Sequence, residues 1–141
     1  MALSADTPRS YMDNVDPVFA SMPCTSNVTI YEGSAVAEST TAGTVKALAA
    51  SDTVFWGFCH QQIINASGGT KRCIIRQQGI VRLTVVGATA VTDNGVAVYA
   101  SDDGTFTLTS TSVNLQIGKV QTWIIGTTCD VFFQGTALRS I

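Results

Sequence analysis

The sequence predicts an all-β fold, a small antiparallel β-barrel or sandwich of about eight short strands with an extended N-terminal arm. Three observations predict it. From Asn27 onward, short runs of β-branched and aromatic residues alternate with Gly, Asn, Asp and Ser clusters, the pattern of a sheet protein built from hairpins. No segment carries a sustained helical period. All three prolines, Pro8, Pro17 and Pro23, fall in the first 23 residues, and the first glycine is Gly33, so the composition changes near residue 26.

The chain divides on this reading into an arm, residues 1–26, and a compact β domain, residues 27–141. Proline fixes φ and removes a backbone donor, which disfavours both a sheet and a long helix in the arm. Leu3, Tyr11, Met12, Val15, Val18, Phe19 and Met22 interrupt its polar residues and need cover, from the same domain or from a neighbour. Removing residues 1–24 is expected to leave a folded domain.

Within the domain, Val28 to Tyr31 reads as a strand ended by Glu32-Gly33, and Val45 to Leu48 as a weaker one. Val54 to Ile64 follows as a single strand. Its start, Val54, Phe55, Trp56 and Phe58, is apolar on both faces, which suits a sheet centre or a subunit contact. After the Ala66-Ser67-Gly68-Gly69 turn, Lys71 to Gln77 alternates, with Cys73 and Ile75 on one face and Arg72, Ile74 and Arg76 on the other. Ile80 to Val86 groups Val81, Leu83 and Val85, and Gly79 before it suggests a bulge or bend. Asp102-Asp103-Gly104 turns a hairpin between Val98-Tyr99-Ala100 and Phe106-Thr107-Leu108. Gly126-Thr127-Thr128 closes the last hairpin between Ile117–Ile125 and 129–134, with Cys129, Val131 and Phe133 on one face.

Composition narrows the partners. Charged residues are 13% of the chain, well below the roughly 25% of an average domain, and the net charge is −2. Such a surface has no long-range attraction for phosphate backbones or anionic lipid, so neither nucleic acid nor a membrane is an expected partner. No stretch has the length of an apolar membrane span, and Met1 to Ser10 carry no secretory pattern. Cys24, Cys59, Cys73 and Cys129 form no C-x-x-C pair, which speaks against zinc, and in a reducing cytosol they are expected to be isolated, buried small hydrophobes.

Catalytic chemistry has little to stand on. His60 is the one histidine, and its neighbour Cys59 would point to the opposite face of a strand. Ser67-Gly68-Gly69-Thr70-Lys71 has the wrong order for a phosphate loop. Asp102 and Asp103 are expected to bond the local turn backbone. No catalytic residue, metal, cofactor or small-molecule substrate is expected. Arg72 and Arg76 fit either a salt bridge to a partner subunit or a solvated face.

Five motifs in order, Val28 to Val36, Phe55-Trp56-Gly57-Phe58, Ile75 to Val81, Ala97 to Leu108, and Ile117-Gly118-Lys119-Val120, resemble the capsid decoration or cement proteins of tailed bacteriophages over roughly residues 27–135. The resemblance implies a β-rich domain, no enzyme activity, and copies that cluster as homotrimers on the outer capsid surface and bridge neighbouring major capsid subunits. It implies a virion protein made in the cytoplasm of a bacterial host. The arm matches no motif of that family. On physical grounds alone its Tyr11, Val15, Phe19 and Met22, with Arg72 and Arg76 of the domain, are the expected partner-binding residues. A different class also fits: a carbohydrate-binding β module of a virion or tail, stacking sugars on Trp56, Trp123 and Tyr99, which requires those rings to be exposed.

Overall fold

The longest strand in the computed structural model, Arg72–Val86, contributes to both core clusters and pairs with four other strands. The structure describes residues 1–12 and 18–136. Eleven strands stand among them: β1 (Val18–Pro23), β2 (Val28–Ile30), β3 (Ala35–Glu38), β4 (Val45–Ala47), β5 (Phe55–Cys59), β6 (Ile63–Asn65), β7 (Arg72–Val86), β8 (Ala97–Ala100), β9 (Phe106–Thr107), β10 (Leu115–Ile125) and β11 (Thr128–Gln134). The one helical element described is a single 3₁₀ turn, Val91–Asp93. No described helix is long and apolar enough to cross a membrane.

Five strands close a barrel. β11 pairs with β7 and β10, β10 with β8, β8 with β9, and β9 returns to β7. The closing step is parallel, Val85 against Phe106 and Val86 against Thr107, whereas the other strand pairings are antiparallel. Closure removes the open edges that would otherwise invite mispairing. From β7 the sheet also extends outward through β5 and β3 to β4, while β2 and β6 form a separate two-stranded ribbon.

Alternation explains the interior. Along β7, Cys73, Ile75, Val81, Leu83 and Val85 are buried while Arg72, Ile74, Arg82, Thr84 and Val86 are exposed. Cys129, Val131 and Phe133 of β11 face the same core. Phe58 sits at its centre, edge-on to Phe133 at 4.8 Å and to Phe55 at 5.8 Å. Truncating this ring to Ala would cost about 3–5 kcal/mol by the usual cavity and transfer losses. A second cluster, Cys24, Ile30, Val36, Val45, Cys59, Cys73 and Ile75, lies beneath the β3, β4 and β5 extension.

Several elements depart from the sequence reading. The arm joins the sheet: β1 pairs antiparallel with β7 from Val18 opposite Gln78 to Pro23 opposite Arg72. Pro23 can do so because it ends the strand, and Cys24 resumes hydrogen bonding to the Lys71 carbonyl. Residues 1–12 are also attached, with Met12 N–H donating to Ile80 O and Arg82 N–H to Ser10 O, and with Tyr11 bridging to Val81. Gly33 makes this approach possible. Its φ is +84°, and a Cβ there would lie 1.8 Å from the Thr7 carbonyl oxygen.

The expected strand from Val54 to Ile64 breaks after Cys59 into β5 and β6, because His60–Gln62 turn the chain toward β2. Gly79 causes no change of face, and the slip in register falls instead opposite β1, between Val18 and Phe19. Ala35–Glu38, an alanine-rich run of weak strand preference, is a strand nonetheless, buried between β4 and β5. Both late hairpins stand where expected, although β9 is only two residues long. Asp102 bonds the turn backbone at Gly104, as expected. Asp103 does not: its carboxylate accepts hydrogen bonds from Leu3 N–H and the Ser34 hydroxyl.

Candidate protein-binding face

The outer face of β1 and β7 gathers apolar and cationic side chains from segments far apart in sequence. Strand alternation places Arg72, Ile74 and Arg76 outward, and the β1 register sets Phe19 opposite Arg76 and Ser21 opposite Ile74. Phe19 is 45% and Ile74 41% exposed. The Phe19 ring stands edge-on to the His60 imidazole at 5.2 Å, and the Arg76 guanidinium lies 5.8 Å from the same ring. Arg72 is fixed by β1: Nε donates to Ser21 Oγ at 3.0 Å and Nη2 to Ser21 O at 2.7 Å. Aromatic and aliphatic groups framed by oriented arginines are the composition of interface hot spots.

A cavity of about 170 Å³ opens beside this face, lined by Arg9, Tyr11, Glu32, Gly33, Cys59, His60 and Arg76. Arg76 covers the Tyr11 ring at 4.0 Å. Arg9 donates from Nε to Gly33 O at 2.9 Å and lies 5.5 Å from the Phe106 ring. Arg9 Nη2 and Arg76 Nε are buried without a hydrogen-bond partner. Burial pulls the Arg9 pKa down against the opposing pull of Tyr11 and Asp103. Burial likewise pushes the Tyr11 phenol up to about 12, with Arg76 and Arg9 opposing.

Deeper in the same cavity wall, the Cys59 and Cys73 sulfurs are 3.5 Å apart. The Cys73 hydrogen bond lowers the Cys59 pKa, and burial opposes it. The Cys73 thiol is driven up, first by that same hydrogen bond and then by burial. All four cysteines are buried and free, but they are not isolated: three share one core cluster. A second cavity of about 270 Å³ lies on β10 and β11, with Lys119 its one ionisable lining residue. No group of three or more His, Cys, Asp or Glu able to hold a metal ion stands together among the described residues.

Of the six residues the sequence singled out, the structure brings four together: Tyr11, Phe19, Arg72 and Arg76. Met22 packs inward against the second core cluster, and Val15 lies outside the described residues. Ile74, His60 and Arg9 complete the site without having been singled out for it. Ile74 had a signal, an apolar residue on an otherwise cationic strand face. Arg9 had none, since a lone arginine in a proline-containing arm is indistinguishable from a solvated one. The three rings required by a sugar platform are half-buried on β5, β8 and β10. Trp123 spends its indole N–H on Gly126 O at 2.9 Å.

No protein-family model matches the chain, and no curated protein matches it. The face and its cavity therefore carry the functional reading on their own physical chemistry.

Proposed function

We propose that this chain is a structural virion protein that binds the outer surface of a bacteriophage capsid through the β1 and β7 face and cements neighbouring shell subunits, as a homotrimer. The observation that carries the reading is the exposed pair Phe19 and Ile74, framed by Arg72 and Arg76, on two strands paired within the main sheet. Strand-borne anchors are ordered before binding, so little conformational entropy is lost on docking. A second exposed apolar group supports self-association. Val86 ends β7 beside the β10 to β11 turn, through the Val85 N–H bond to Thr127 O, and Ile125 ends β10 at that turn. The 3₁₀ turn carrying Val91 is tied to β10 by Asn94, which accepts from Trp123 N–H at 2.7 Å. Repetition on a symmetric lattice then multiplies modest contacts into firm retention.

The test uses capsid shells of the source phage stripped of this protein. Wild-type chain is expected to co-sediment with them in fixed ratio to the shell protein and to raise their heat resistance. The double variant Phe19→Asp, Ile74→Asp, checked for unchanged circular dichroism, is expected to lose at least tenfold in affinity. Equal binding by the variant would remove this face from the reading, and absence of wild-type binding would remove the reading itself.

A further inference from the structure

We propose that Cys59 and Cys73 form an oxidisable dithiol that hydrogen peroxide closes to a disulfide, tying the end of β5 to the start of β7.

The pairing geometry produces the pair. Cys59 stands opposite Ile75, and Cys73 is two residues along β7 on the same inward face. His60 N–H donates to Ile74 O at 2.9 Å and fixes this register, in which Cys73 is the diagonal cross-strand neighbour of Cys59. The sulfurs are 3.5 Å apart, within reach of bond formation after a small rotation of either side chain. Cys24 shares the cluster as a bystander thiol, and Cys129 belongs to the barrel core.

Access distinguishes the two sulfurs. Cys59 lines the 170 Å³ cavity and Cys73 is not among its lining residues. That volume has room for several water-sized molecules, and so for peroxide. The lowered Cys59 pKa favours the nucleophilic thiolate at the cavity-lining position.

Two steps complete the chemistry. The Cys59 sulfur attacks one peroxide oxygen, the O–O bond breaks, and the departing hydroxide takes the Cys59 proton to leave as water, giving a sulfenic acid. The Cys73 sulfur then attacks the Cys59 sulfur, the S–O bond breaks, and the oxygen leaves with the Cys73 proton as a second water. The two thiols lose two electrons and two protons, and peroxide is reduced to two waters. The new bond closes the chain between residues 59 and 73 and restricts the unfolded state.

The full chain, reduced, desalted and treated with hydrogen peroxide, tests the pair without any capsid. Digestion without reductant is expected to yield a Cys59–Cys73 cross-linked peptide, with a rise in melting temperature that dithiothreitol reverses. Cys73→Ser is expected to stop at a Cys59 sulfenic acid that dimedone captures, while Cys24→Ser still cross-links. Full alkylation of both Cys59 and Cys73 after peroxide, or a cross-link of either to Cys24 in their place, would overturn the proposal. Peptide mapping of the wild-type chain distinguishes these outcomes even where a serine variant fails to fold.

Discussion

The Asp103 carboxylate holds Ser34 across 69 residues of sequence, accepting the hydroxyl at 2.8 Å from a position that is 3% exposed. Its other oxygen accepts Leu3 N–H at 2.9 Å, so one side chain joins the β8 to β9 turn, the entry to β3 and the start of the arm. Asp103→Ala removes the acceptor of Leu3 N–H and leaves the Ser34 hydroxyl only the Ala35 carbonyl at 3.1 Å, for an expected loss of about 2 kcal/mol. Asp103→Asn keeps one acceptor but turns an amide N–H₂ toward a donor, and is expected to cost about half as much. Urea unfolding at constant m-value measures both, and equal stability of all three proteins would refute the role given to this carboxylate.

The arm is a structural part of the fold. β1 covers Arg72–Gln78, Met22 and Cys24 complete the second core cluster, and Tyr11 packs on the barrel core. Removing residues 1–24 therefore exposes both a long strand edge and part of two cores, the conditions for edge-to-edge association. The truncated chain is expected to aggregate and to lose its near-ultraviolet circular dichroism. A monodisperse, cooperatively unfolding product on gel filtration would show that the arm is dispensable, as its prolines had suggested.

Tyr11 makes stability fall in alkaline solution. Its pKa, about 12 when folded against an ordinary 10, is raised chiefly by burial. Stability from the neutral phenol is fully present below pH 10 and is lost as pH rises from 10 through 12, because the unfolded chain releases its proton first. The two-unit rise corresponds to about 2–3 kcal/mol. The comparison is with Tyr11→Phe, which keeps the ring beneath Arg76. The variant is expected to show a shallower alkaline decline in denaturant midpoint, and parallel curves would count against a buried phenol.

The two late hairpins and the face alternation of Arg72 to Val86 were legible because each is a local pattern of period two with a turn residue at its end. The outward trio Arg72, Ile74 and Arg76 was legible for the same reason. β1 was hidden by prolines that fall at or beyond its ends, and β3 by the weak strand preference of alanine. The parallel closure of β9 on β7 and the meeting of Cys59 with Cys73 are products of tertiary pairing, and no spacing in the sequence encodes them. Asp103 looked like its neighbour Asp102, and only the arrival of Leu3 and Ser34 separates their roles.

Val86, Val91 and Ile125 are 55%, 62% and 69% exposed at the end of the barrel remote from the arm's β1, an unusual outlay of apolar surface for a chain with so few charges to offset it. If this end seats a second copy, a charge placed there must be desolvated on assembly, a penalty far larger than any change within the monomer. Val91→Asp with Ile125→Asp is therefore expected to convert a trimer to monomers in light scattering at micromolar concentration, while the thermal midpoint of the isolated fold changes little. The Phe19→Asp, Ile74→Asp variant should remain trimeric in the same measurement, since it alters the opposite surface. A trimer that survives the end-of-barrel charges would place its contacts elsewhere, and a wild-type monomer would leave the capsid lattice, with no self-contact, as the sole source of repeated binding.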